Sequence, residues 1–81
     1  MKKKRVKTAR YYFDSEKLDE ALKLANMWPA ELARRTFISE SFISALKSRR
    51  KLCGYKTAKR ILSGFETEYQ ILDIFIEDSI E

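Results

Sequence analysis

The sequence predicts an all-α fold, a compact bundle of four to five short helices behind a basic N-terminal arm. Three observations carry that prediction. The 81 residues include two glycines and one proline as strong breakers, too few for the many turns of a β-sandwich. Apolar residues recur at three- and four-residue spacing through the middle of the chain. Ser, Asp, Pro and Gly stand where helices of that spacing would begin and end.

The elements follow in order. Residues 1–13 form a basic arm whose first part, Lys2-Lys3-Lys4-Arg5, is too charged to pack. Val6 to Phe13 is rich in β-formers, which leaves a short strand open there. Asp14 and Ser15 are good N-caps, Glu16, Asp19 and Glu20 suit the positive end of a helix, and Leu18, Ala21, Leu22 and Ala25 give a first helix over 15–26. Pro29 then starts a second helix, 29–36, with Leu32 and Ala33 inward. Phe37-Ile38-Ser39 is a turn, and Ser39 caps a third helix, 40–48, buried along Phe42, Ile43 and Leu46. A fourth, 55–63, follows Gly54, with Ala58, Ile61 and Leu62 inward and Gly64 as its stop. The segment 14–65 is therefore the helical domain and 66–81 an acidic, apolar tail. In the tail Thr67 and Gln70 have capping-box spacing, so a fifth helix from 68 is expected. The competing reading uses the β-rich run Ile71 to Ile76 as a strand, paired with residues 6–13 or with a second copy of itself.

Charge is segregated. Residues 1–12 hold six cations and residues 47–60 seven, with no acid in either block, whereas Glu66 to Glu81 holds six acids and no cation. Two cationic blocks flanking a helix-turn-helix pattern point to a polyanion partner, against the blander reading of solvated surface charge. Several classes drop out. One cysteine, Cys53, excludes an internal disulfide framework and suits a reducing cytoplasm. With no histidine, neither a zinc site nor any other metal or cofactor site is expected. No apolar run reaches the roughly 18 residues of a membrane span, and the basic start lacks a following apolar segment, so neither membrane partner nor signal peptide is expected. No partnered nucleophile and no phosphate-binding glycine loop leave little for an enzyme to use.

The run Leu32-Ala33, Ile38, Ile43-Ser44 and Leu46 resembles the helix-turn-helix family of phage repressors and Cro proteins, the Xre or Cro/C1 type. The resemblance spans about residues 15–65 and implies a lambda-repressor-like domain. In that family a small residue stands at the place of Ala33 because two helices cross closely, and the residues at Ile43 and Leu46 lock the recognition helix onto the core. This chain departs in having Phe37 where the family has a glycine with positive φ, and Arg49 and Cys53 in a loop that usually carries glycine and proline. Phenylalanine there implies strain of order 1 kcal/mol or a shifted turn.

With the third helix in a major groove, Ser39, Glu40, Ser41, Ser44 and Ala45 are the base-edge candidates. None is an Arg, Gln or Asn capable of bidentate readout, and Glu40 reads equally well as a helix-start carboxylate. Lys47, Ser48, Arg49, Arg50, Lys51, Tyr55 and Lys56 are the phosphate candidates. The arm could track a neighbouring groove. Tyr11, Tyr12, Phe13 and Trp28 are expected in the core or an interface, and Cys53 as a packing residue, though nearby cations could lower its pKa. The expected function is a sequence-specific, prokaryotic or phage DNA-binding regulator. It would bind double-stranded DNA as a homodimer through the apolar positions between Tyr69 and Ile80, which exceed one buried stripe. The alternative is a protein-interaction module on the same fold, such as an antirepressor, an antitoxin or an inhibitor of a nucleic-acid enzyme.

Overall fold

The computed structural model describes residues 9–78. Four helices and a two-stranded antiparallel sheet follow the order β1 (Arg10–Phe13), α1 (Ser15–Leu24), α2 (Pro29–Thr36), α3 (Glu40–Lys47), α4 (Tyr55–Leu62), a 3-10 turn at Ile71–Asp73, and β2 (Phe75–Asp78). The arm residues Lys2-Lys3-Lys4-Arg5 and the end of the tail, including Ile80, lie outside the described residues.

Local chemistry accounts for the helix boundaries. The Asp14 carboxylate accepts the Lys17 N–H at 3.2 Å and opens α1. That helix stops at Leu24, short of the expected 26, because Asn26 takes φ 54 and turns the chain, leaving Ala25 exposed. Pro29 occupies the first turn of α2, where a missing N–H costs nothing. The Ser39 hydroxyl accepts the Phe42 N–H at 3.1 Å and opens α3. Helix α4 begins after Gly54 and buries Ala58, Ile61 and Leu62, as its spacing requires.

The tail departs from the expected fifth helix and takes the competing reading, a strand paired with the end of the arm. No helix starts at 68. Gln70, not Thr67, caps the segment: its N–H donates to the Asp73 carboxylate at 2.8 Å and closes a single 3-10 turn. Beyond it Ile74 and Phe75 are buried, and β2 pairs antiparallel with β1, Phe13 opposite Phe75 and Tyr12 opposite Ile76. A helix would have wound Phe75 away from the extended partner that β1 supplies, and β-branched, aromatic residues favour the pleated alternative. Phe13 stacks on Phe75 at 4.7 Å between ring centroids, and Tyr11 meets Phe75 edge-on at 6.4 Å. Both strands thus enter the same core as Leu18, Leu32, Leu46 and Ile61. Trp28, expected in the core or an interface, is 78% exposed.

Gly64 does more than end α4. A Cβ there would lie 2.8 Å from both Leu32 Cδ1 and Thr36 Cγ2. Thr36 is buried and its hydroxyl donates to the Leu32 carbonyl at 2.8 Å, so it cannot swing aside cheaply. The glycine therefore sets how closely the end of α4 approaches α2. Gly64→Ala is expected to lower stability by about 1–3 kcal/mol, read as a lower urea midpoint. An unchanged midpoint would mean that the α2–α4 contact is slack.

Candidate nucleic-acid interface

Helices α2 and α3 pack on each other, with Ala33, Ile43 and Leu46 all buried in the common core and Ile38 of the intervening turn partly buried against it. The turn keeps its geometry despite Phe37. That residue takes φ 60, ψ 32 and donates its N–H to the Ala33 carbonyl, and Ile38 N–H reaches the same oxygen at 3.1 Å. Of the two alternatives, strain or a shifted turn, the positive φ at Phe37 is the first.

On α3 the outward stripe is Glu40, Ser41 and Ser44, with Ser39 exposed at the cap. Ala45 does not belong to it. It is 3% exposed, because the chain after α3 folds back and both Arg50 N–H and Lys51 N–H donate to the Ala45 carbonyl. A methyl group enclosed in this way cannot reach a base edge, so Ala45 leaves the base-contact set.

The phosphate candidates divide. Lys47 is half-buried and ion-paired with Asp19 of α1 at 2.8 Å. The Ser48 hydroxyl donates to the Ala45 carbonyl and accepts from Arg50 Nε at 2.9 Å, which orients Arg50 beside the end of α3. Arg49 takes φ 67, and its guanidinium lies 4.7 Å from the centroid of the Tyr12 ring on the outer face of the sheet. Lys51, Tyr55 and Lys56 are exposed. Among the described residues, Arg49, Arg50, Lys51 and Lys56 pair with no carboxylate.

Sequence reading missed Tyr12 as the platform for Arg49 and Asp19 as the partner of Lys47. Both are long-range contacts without a local signature. It also left aside the arginines around the end of α2. Arg35 pairs with Glu31 at 2.9 Å and donates to the Gly64 carbonyl, and Arg60 Nε donates to the Thr36 carbonyl at 2.9 Å. The Arg60 bond satisfies a carbonyl that the end of α2 leaves open and places positive charge at its negative pole, and the Arg35 bond ties α2 to the segment after α4.

No group of His, Cys, Asp and Glu among the described residues could hold a metal ion, and no helix there is long and apolar enough to cross a membrane. An open groove of about 440 Å³ beside Trp28 is lined by Leu22, Met27 and Pro29, with Asp19 as its carboxylate. Cys53 is buried, and desolvation pushes its thiol up from 9.0 to about 11, outweighing the opposite pull of Arg10. The nearby cation does pull the value down, but burial sets the net direction. The thiol is neutral when folded and ionises more readily when unfolded, so its contribution is complete below pH 9 and is lost as pH rises through about 11. Cys53 is expected to resist iodoacetamide at pH 8 until the protein unfolds, and stability is expected to fall between pH 9 and 11. Alkylation of the native protein at the rate of a free thiol would contradict the burial.

Comparison of the chain with protein-family models, curated proteins and solved structures found no significant match.

Proposed function

We propose that this protein is a sequence-specific DNA-binding regulator of the lambda-repressor-like kind, with α3 entering the major groove. One observation carries the reading. The exposed stripe of α3 runs without interruption into Arg49, Arg50 and Lys51, cations that no carboxylate neutralises among the described residues. Ser39, Glu40, Ser41 and Ser44 face the bases, and Arg49, Arg50, Lys51, Tyr55 and Lys56 face the backbone on the C-terminal side. Short polar side chains give modest base discrimination, so affinity rests chiefly on phosphate neutralisation.

Dimerisation through β2 completes the reading. Among the described residues, β2 pairs on one side only, and Ile76 within it and Leu72 shortly before it are exposed. Two modules on one DNA site would supply the affinity that one module lacks. A second reading, a protein-interaction module, draws on exposed Trp28, which lines the groove between the end of α1 and the start of α2.

Mobility shifts with duplex DNA test the first reading. Arg50→Glu with Lys51→Glu, which leaves the Arg49–Tyr12 contact in place, is expected to abolish binding. Each lost phosphate contact should flatten the salt dependence by about 0.9 in log–log slope. No binding by the parent protein at low salt, or full binding by the double variant, would refute it.

The Asp19–Lys47 pair gives a second test. Asp19→Asn releases Lys47 and removes a repulsive carboxylate, so binding is expected to tighten and the salt slope to steepen by up to about 0.9. An unaltered slope would place Lys47 off the DNA face.

A further inference from the structure

Three non-glycine residues among those described have positive φ: Asn26, Phe37 and Arg49. Asparagine tolerates that region at low cost. Arg49 gains a contact by it, since its guanidinium returns over Tyr12. Phe37 gains none. Its ring is 85% exposed and meets no other ring among the described residues, while its backbone adopts a conformation that glycine would accept without strain. An aromatic side chain held in a strained position, and returning no packing to the fold, points to a contact outside the fold.

The surroundings indicate what that contact is. Arg34, one helical turn before Phe37, is exposed, and Arg60 donates to the carbonyl of Thr36 and so lies at the base of the same turn. The nearest acid on α2, Glu31, is already paired with Arg35. Only Ile38 and Ser39 separate Phe37 from the first residue of α3. An exposed ring on the turn between two helices, with Arg34 one helical turn before it and Arg60 bonded to the carbonyl of the preceding residue, beside a helix read as entering a groove, matches a strand of nucleic acid, which offers apolar sugar and base surface between phosphates.

We infer that Phe37 is a nucleic-acid contact, its ring packing on a sugar or base edge of the strand that flanks α3 while Arg34 and Arg60 neutralise adjacent phosphates. The inference rests on the DNA-binding reading and adds an apolar, salt-insensitive component to it.

Fluorescence anisotropy with a random-sequence duplex pool of operator length, at several salt concentrations, tests it on Phe37→Gly and Phe37→Tyr. Phe37→Gly relieves the backbone, so Tm is expected to rise by about 4–8 °C. Its affinity is nevertheless expected to fall about tenfold at every salt concentration, with the parental log–log slope retained. Phe37→Tyr keeps the ring and is expected to stay near parental affinity. If the parent binds, the Arg50→Glu/Lys51→Glu variant does not, and Phe37→Gly binds as tightly as the parent, the inference fails and the DNA-binding reading stands. A lower Tm in Phe37→Gly would make the ring part of the fold and also overturn it. Absence of binding by the parent overturns both.

Discussion

The stack of Phe13 on Phe75 is the contact on which the rest of this protein depends. Its helices are eight to ten residues long, too short to persist on their own propensity. They hold because the segments before and after them meet in one two-stranded sheet and close the apolar face. Burying an aromatic pair removes several hundred Å² of apolar surface from water, about 150–250 Å² for each ring. That is a large share of what a chain this small can bury.

The same sheet positions the candidate interface. One edge of β1 carries β2, and on the other side Tyr11 exchanges two backbone hydrogen bonds with Cys53, at 2.8 and 2.9 Å. Those bonds fix the segment after α3, and Tyr12, projecting from the opposite face of the strand to Tyr11, meets Arg49. Strand closure, loop placement and the orientation of a key cation are thus one construction. A loop of Arg and Lys without this anchor would wander, and ordering it on a partner would cost entropy with each encounter.

Charge in this protein is not uniformly available. Lys47 is held by Asp19 and Arg35 by Glu31, whereas Arg50, Lys51 and Lys56 have no acidic partner among the described residues. A count of basic residues treats these groups alike. Their capacity to meet an external anion differs, because a cation already paired must first give up that partner.

The order of residues along the chain determined the four helices, since caps and apolar spacing are local: Asp14, Pro29, Ser39 and Gly54 each mark a start within one turn of the residues they serve. It also made the buried side of α2, α3 and α4 legible through Leu32, Ala33, Ile43, Leu46, Ala58, Ile61 and Leu62. Only the tertiary structure decided the tail, because Ile71 to Ile76 fits a helix or a strand equally well until β1 offers it an edge. It likewise removed Ala45 from the exposed stripe, engaged Lys47, and placed Arg49 on Tyr12. Each of those outcomes depends on which distant segment arrives beside a residue, and that is set by how the whole core closes.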